Sequence, residues 1–164
     1  MDRMGFWNVR GLNDPVKQHE IKNFLFQHRF SLFILIETSV KPSNWQQVFK
    51  FSCLGMECIN NYQSAVNGRI WCIWDKKKVV VRELAQSDQF IHMEVDVLAN
   101  QFRFLCTAIY AANTAACRSQ LWTISGCILC YVAMDSLWRF SLYSLCGREM
   151  ESCFVDHDID ELQN

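Results

Sequence analysis

The chain has 164 residues, of which 51% are hydrophobic and 20% are charged, and its formal net charge is −1. This length supports one hydrophobic core. The composition excludes a membrane-spanning protein, because the apolar run over 128–134 is soon interrupted, and no basic segment opens the chain as in a secretory signal. Nine cysteines without such a signal favour reduced thiols over a disulfide framework. We therefore expect a soluble protein of the nucleus or cytoplasm.

Charge is unevenly distributed along the chain. Residues 1–126 carry 14 Lys and Arg against 10 Asp and Glu, a balance of +4, whereas residues 127–164 carry 2 against 7, a balance of −5. The basic part is compatible with nucleic acid as a partner, but a balance of +4 does not identify one. The densest basic run, 76–78, is expected to be a solvated hairpin turn.

Two strand-like runs, 4–12 and 30–38, flank a predicted helix over 14–28. Asn13 or Asp14 is a candidate cap, Pro15 lies in the first turn, and apolar residues recur at roughly helical spacing: Val16, Ile21, Phe24 and Leu25. Such a strand–helix–strand unit brings both strand ends to one edge if the strands are parallel. Ligands of open sheets bind at that edge.

Each of these two runs ends in one functional side chain. Asn8 lies near the end of the first, and Glu37 follows the Phe, Leu and Ile residues of the second. A carboxylate after a buried strand lies at the rim of the sheet, where an ion can reach it. Asn8 and Glu37 are therefore candidates for one site. The residues alone also allow a turn role for Asn8 and a solvated strand end for Glu37.

The remaining pattern predicts a mixed α/β sandwich in one domain. A short helix is expected over 42–51, with Trp45, Val48 and Phe49 inward. Four strand-like runs, consistent with an antiparallel sheet, follow at 69–74, 79–85, 90–97 and 102–110. A helix over 115–124 and a buried strand over 127–134 are also expected. Cys127 and Cys130 form a Cys-x-x-Cys pair in that strand. A zinc site would need a second such pair, which the sequence does not contain.

Several short motifs occur in a fixed order over about residues 4–124: Trp-Asn-Val-Arg-Gly-Leu from Trp7, Glu-Thr at Glu37, Gly-Arg-Ile-Trp-Cys-Ile-Trp-Asp from Gly68, Ser-Asp-Gln-Phe-Ile-His from Ser87, Ile-Tyr-Ala-Ala-Asn from Ile109, and Arg-Ser-Gln-Leu-Trp from Arg118. This ordered set resembles the endonuclease/exonuclease/phosphatase superfamily. More narrowly, it resembles the N-terminal endonuclease of plant LINE-type (non-LTR) retrotransposon polyproteins.

The resemblance implies a four-layer α/β sandwich, present in part, whose mixed sheets are flanked by helices. It also implies phosphodiester hydrolysis on DNA with Mg²⁺ or Mn²⁺. By this resemblance Glu37 is the metal ligand, and Asn8 orients the metal site or the phosphate. Tyr110 is placed against the reacting phosphate, and Asn113 contacts the nucleic-acid backbone. Without the resemblance, the residues alone favour a half-buried strand-end aromatic for Tyr110 and a turn former for Asn113.

Two catalytic elements of this family have no clear match. The family's Gly-Asp-Phe-Asn, which positions the attacking water, should follow the strand over 131–134, where Asp135-Ser136-Leu137-Trp138 stands instead. Its closing Ser-Asp-His supplies the base. Asp156-His157 lies in the acidic run 153–162, for which we expect a helix.

We therefore interpret 1–126 as the N-terminal part of the domain and 127–164 as its divergent, truncated continuation. Residues 127–150 fit the family poorly, as a frame-shifted or decayed copy would, and truncation predicts poor solubility. Three functions stay open: an impaired Mg²⁺-dependent DNA endonuclease, a non-catalytic remnant with weak nucleic-acid or protein binding, and a phosphoesterase acting on a small phosphate ester.

Overall fold

The computed structural model describes residues 3–66, 68–110, 141–146 and 149–154. Their elements in chain order are β1 (Arg3–Asn8), α1 (Pro15–His28), β2 (Leu32–Ile36), α2 (Trp45–Ser52), β3 (Glu57–Asn60), β4 (Ile70–Trp74), β5 (Val79–Gln86), β6 (Phe90–Val97), β7 (Phe102–Ile109), β8 (Ser141–Cys146) and β9 (Glu149–Phe154). Within these residues the strands form a six-stranded sheet, ordered β3-β4-β2-β1-β8-β9, and a three-stranded sheet, ordered β5-β6-β7.

The strand–helix–strand unit predicted at the start of the chain is confirmed. Asp14 caps α1, its side chain accepting a hydrogen bond of 2.9 Å from the N–H of Val16, and Pro15 opens the helix. Ile21 and Leu25 lie in the core, whereas Val16 is 63% exposed. β1 and β2 pair in parallel, so their carboxyl ends meet at one edge. Neither described helix is long and apolar enough to cross a bilayer.

The central strands β2 and β4 of the six-stranded sheet are covered on both faces. Phe33 and Leu35 of β2 belong to the core beneath α1 and α2, while Leu32 belongs to a second core shared with the three-stranded sheet. Alternate residues of one strand therefore enter two different cores, which explains why β2 is apolar throughout. The described layers are helices, a six-stranded mixed sheet and a three-stranded antiparallel sheet. This is an α+β sandwich, as predicted.

The assignment of the run 69–74 to the antiparallel sheet of the later strands is wrong. β4 pairs antiparallel with β2 and with β3, and only β5, β6 and β7 form the separate sheet. The physical reason lies in the pattern of apolar residues. Ile70, Trp71, Cys72 and Ile73 are all buried, as a strand covered on both faces requires, whereas β6 alternates between buried and half-buried residues.

Three further differences from the predicted elements are observed. The run 76–78 is a turn, but it connects two sheets and is not a hairpin. The short strand β3 was not predicted. Cys153 and Phe154, the first residues of the predicted acidic helix, end β9 instead, in a hairpin with β8. The predicted helix over 115–124 and strand over 127–134, with Cys127 and Cys130, lie outside the described residues. The helix over 42–51 is confirmed as α2, with Val48 buried.

Candidate active site

β1 and β2 end side by side at one edge of the six-stranded sheet. Asn8, the last residue of β1, is in register with Ile36, the last residue of β2, and Glu37 follows directly. Asn8 Nδ2 donates a hydrogen bond of 2.8 Å to Glu37 Oε1. Asn8 Oδ1 accepts one of 3.2 Å from the N–H of Arg10. Both ends of the Asn8 amide are therefore engaged, and one carboxylate oxygen of Glu37 is held in place.

The backbone at this edge adopts an unusual conformation. Glu37 has φ 57° and Arg10 has φ 46°, both in the left-handed region. A non-glycine residue there costs roughly 1–3 kcal/mol and persists only where the surroundings enforce it. The N–H groups of Gly11 and Leu12 donate hydrogen bonds of 2.7 Å to the carbonyl oxygens of Glu37 and Thr38. These bonds tie the two loops together, and strained backbone of this kind clusters at functional sites.

Thr38 fixes the backbone of the loop that follows β2 and carries Glu37. Its side chain is fully buried, and Oγ1 donates a hydrogen bond of 2.7 Å to the carbonyl oxygen of Gly68. Its N–H donates to the carbonyl oxygen of Arg69 at 3.4 Å. Because β4 runs antiparallel to β2, Gly68 and Arg69 reach the same edge of the sheet as Glu37. The position of the Glu37 carboxylate therefore depends on the segment that precedes β4.

Tyr110 is linked to this edge through Arg69. The guanidinium carbon of Arg69 lies 5.1 Å from the centroid of the Tyr110 ring, a cation–π contact. The N–H of Tyr110 donates a hydrogen bond of 2.8 Å to the carbonyl oxygen of Gln89. Tyr110 thus follows the end of β7 in contact with a residue that also bonds to Thr38. Asn113, the fourth predicted site residue, lies outside the described residues.

Asn61 joins the two sheets next to this edge, and the sequence did not reveal it. Its side chain is fully buried. Oδ1 accepts hydrogen bonds from the N–H groups of Arg69 at 2.9 Å and Ile70 at 3.0 Å. Nδ2 donates to the carbonyl oxygens of Ser87 at 3.2 Å and Asp88 at 3.3 Å. An asparagine in a polar loop has the sequence signature of a turn former, so no pattern distinguished it.

A cavity of about 960 Å³ borders Asn8 along α1. Lys17 Nζ donates hydrogen bonds to the carbonyl oxygens of Val9 at 2.9 Å and Arg10 at 3.0 Å, at the end of β1. Those bonds satisfy backbone groups that follow the strand. The exposed side chain of Arg10 remains as a cation two residues from Asn8, where an anionic ligand at the edge would meet it.

The donor set at this edge suits a partial metal shell. Among the described residues, no three Asp, Glu, His or Cys side chains lie together as a metal cluster. Mg²⁺ does not need such a cage, because it commonly keeps several waters and binds one or two carboxylates together with substrate phosphates. The half-buried carboxylate of Glu37, oriented by Asn8, fits that requirement.

Solved structures with a similar fold include an endonuclease domain and a member of the endonuclease/exonuclease/phosphatase family. An endonuclease/exonuclease/phosphatase family protein from Bacteroides thetaiotaomicron matches with a TM-score of 0.57 at 9% identity, over 86% of this chain and 60% of that one. The endonuclease domain of TRAS1, a telomere-specific non-LTR retrotransposon, matches with a TM-score of 0.55 at 9% identity, over 87% and 59%. TDP2 from D. rerio, complexed with a single-stranded DNA product, matches with a TM-score of 0.54 at 14% identity, over 85% and 58%.

These likenesses establish the fold, which is that of the endonuclease/exonuclease/phosphatase proteins. The chain spans about three-fifths of the length of the structures that it matches. No protein-family model and no curated protein matches the sequence.

Proposed function

We propose that this chain derives from the DNA endonuclease of a plant LINE-type retroelement, and that its chemistry is metal-dependent hydrolysis of a phosphodiester. The observation that carries the proposal is the 2.8 Å hydrogen bond between Asn8 and Glu37 at the joined ends of β1 and β2. Ligands of open α/β sheets bind at such an edge. DNA is the proposed substrate, and the nucleus or cytoplasm the proposed location.

Glu37 would hold Mg²⁺, or Mn²⁺ in its place, and Asn8 would complete or orient that site. A bound divalent cation neutralises charge on the phosphate and activates water. Asn8 restrains the Glu37 carboxylate through a hydrogen bond from Nδ2. The cation–π contact with Arg69 restrains the Tyr110 ring, whose hydroxyl is proposed to contact the phosphate. Asn113 is proposed to contact the DNA backbone.

We further propose that the 164 residues alone are catalytically impaired. They contain neither Gly-Asp-Phe-Asn nor Ser-Asp-His. The family uses those elements to position the attacking water and to supply the base. Loss of a single general acid or base costs about 10²–10⁴ in rate, and groups that act as a unit do not replace one another.

A supercoiled-plasmid nicking assay with Mg²⁺ or with EDTA tests the impairment. We expect nicking at least about 10²-fold slower than that of an intact relative. Nicking at the relative's rate, abolished by Glu37→Ala in an equally folded protein, would overturn the impairment and support an active endonuclease.

Metal binding is tested separately, with a readout that does not need turnover. Mn²⁺ should broaden the backbone amide NMR signals around Asn8 and Glu37, and Glu37→Gln should abolish the effect. Glu57→Gln is the matched control, because Glu57 is an exposed carboxylate at the opposite end of the sheet, paired with Lys76. Broadening that survives Glu37→Gln would contradict the proposed metal site.

The second candidate function is a non-catalytic remnant that binds nucleic acid or protein weakly. The missing Gly-Asp-Phe-Asn favours it. Mn²⁺ binding at Glu37 without any nicking, in the presence of measurable DNA binding, would select this candidate. Hydrolysis of a small phosphate ester without action on DNA would instead select a phosphoesterase.

A further inference from the structure

A second cavity, of about 680 Å³, lies at the end of the six-stranded sheet opposite to the candidate active site. Its lining comes from the end of α1, the end of α2 and the turn after β4. Arg29 precedes β2 and Asp75 follows β4, and the N–H of Asp75 donates to the carbonyl oxygen of Ser31. Glu37 stands at the other end of β2, roughly 16 Å away for five residues of strand. This cavity therefore lies far from the Glu37 carboxylate, although Asn23 borders both cavities.

The charge around this second cavity is strongly positive. Four cations and one carboxylate are among its lining residues: Lys22, Arg29, Lys77, Lys78 and Asp75. None of the four cations forms an ion pair within the described part of the chain, where the ion pairs involve Lys76, Arg82 and Arg103. The Asp75 carboxylate accepts a hydrogen bond from the N–H of Lys77 at 3.0 Å and stabilises the turn. Lys78 Nζ donates to the carbonyl oxygen of Arg29, and Lys22 Nζ lies 4.9 Å from the centroid of the Phe51 ring, but neither contact neutralises the charge. Cations without a carboxylate partner around a concave site attract an anion.

The same cavity also presents apolar surface and an unused hydroxyl group. Phe26 is 81% exposed and Leu54 is 78% exposed, although both are large apolar side chains. Ser52 is 1% exposed, and its hydroxyl has no hydrogen-bond partner among the described residues. A buried hydroxyl without a partner is costly. An exposed phenyl ring is a platform on which a planar base can stack.

We propose that this cavity binds a nucleotide unit, with its base on Phe26 and its phosphate among Lys22, Arg29 and Lys77. The shared chemistry is a phosphate attached to a planar base, supplied either by a free nucleotide or by single-stranded nucleic acid. The volume suits a ligand of that size, since small-molecule sites occupy about 300–1,000 Å³. The inference does not require hydrolysis at Glu37.

Binding is measured by fluorescence anisotropy of a short labelled single-stranded deoxyadenosine oligonucleotide, in EDTA to exclude metal-dependent binding at Glu37. Phe26→Ala should weaken binding about fivefold or more, the usual effect of removing one base-stacking aromatic. Leu84→Ala is the matched control, because Leu84 is 53% exposed on β5 in the other sheet. Equal affinity of the Phe26→Ala and Leu84→Ala variants would overturn the proposal.

The phosphate contact is tested with two neighbouring lysines of one turn. Lys77 lines the cavity, whereas Lys76 does not and pairs with Glu57. Lys77→Gln should reduce the slope of log affinity against log salt by about 0.7–1, and Lys76→Gln should leave it nearly unchanged. Equal slopes for the two variants would overturn the proposal. So would a loss of affinity in the Glu37→Ala protein together with unchanged affinity in the Lys77→Gln protein, because that result would place the ligand elsewhere.

Competition identifies the source of the ligand. Displacement of the oligonucleotide by deoxyadenosine monophosphate, but not by deoxyadenosine, supports a free nucleotide. Competition by unlabelled oligonucleotide alone, with the Phe26 and Lys77 effects intact, supports single-stranded nucleic acid. Equal displacement by deoxyadenosine and its monophosphate would show that phosphate is not recognised and would overturn the proposal.

Discussion

The two sheets of this molecule differ in where they carry polar side chains. β2 and β4 are covered on both faces, and their polar neighbours stand only beyond the strand ends, as Glu37 does. β6 is covered on one face, and its other face carries Glu94 and Asp96, which pair with arginines of the neighbouring strands. A sheet buried on both sides thus confines functional groups to its edges, where a fixed backbone can hold them.

The largest difference between the sheets is expected from side-chain truncation. Phe33→Ala, at a fully buried position of β2, should lower the free energy of unfolding by about 3–5 kcal/mol, because it leaves a cavity beneath α1. Leu84→Ala, at an exposed position of β5 where the strand register shifts, should change it by less than about 0.5 kcal/mol. Urea denaturation measures both, and similar losses would contradict the contrast.

A smaller contrast is expected between two threonines. Thr38→Val removes the donor to the buried carbonyl oxygen of Gly68 and should cost about 1–3 kcal/mol. Thr107→Val removes a 2.8 Å hydrogen bond with His92 at a half-buried position, where water can replace the lost partner, and should cost less. Thermal unfolding of both variants decides the order, and a larger loss at Thr107 would reverse the interpretation.

The left-handed backbone of Glu37 predicts that glycine is a more stable replacement than alanine at this position. Glu37→Gly and Glu37→Ala both remove the carboxylate, but only glycine adopts φ 57° without steric cost. The Glu37→Gly protein should therefore be more stable than the Glu37→Ala protein by about 1 kcal/mol. Equal stability, or greater stability of the alanine variant, would show that the enforced conformation relaxes once the carboxylate is gone.

The smallest effect is expected on the open face of the three-stranded sheet. Hydrogen bonds from Arg103 and Arg82 lower the pKa of Asp96. A pKa that is lower in the folded state stabilises the fold above the unfolded-state pKa, and that contribution is lost as pH falls through the folded-state value. Asp96→Asn should therefore slightly lower the free energy of unfolding at neutral pH. It should leave that free energy unchanged in strong acid or at high salt.

Asp88→Asn, at an exposed carboxylate in the loop between β5 and β6, is the control for the loss of one negative charge. Thermal unfolding across a pH series provides the measurement. A pH-independent loss in the Asp96→Asn protein would show that packing, not ionisation, gives the residue its effect.

Local signals in the sequence were sufficient for the first strand–helix–strand unit. The Asp14 cap, Pro15 and the apolar spacing place α1 correctly, and the apolar run that precedes Glu37 places β2. They also suggested that Asn8 and Glu37 share a site, and the two side chains are hydrogen-bonded.

Long-range relations could not be predicted in the same way. Strand pairing depends on contacts between distant segments, and β4 was placed in the wrong sheet although its continuous apolar run is typical of a strand covered on both faces. The contacts of Thr38 and Asn61 go to backbone groups, which have no sequence signature.

The hydrogen bonds of Asn61 between the two sheets also affect the order in which parts of the molecule would unfold. The candidate site lies across a seam, with Glu37 on one hydrogen-bonded sheet and Tyr110 at the end of the other. Proteins open in cooperative units smaller than the whole, and each sheet can persist as such a unit after the seam has parted. Sub-global opening at Asn61 would then move Glu37 and Tyr110 apart before the strands within either sheet separate.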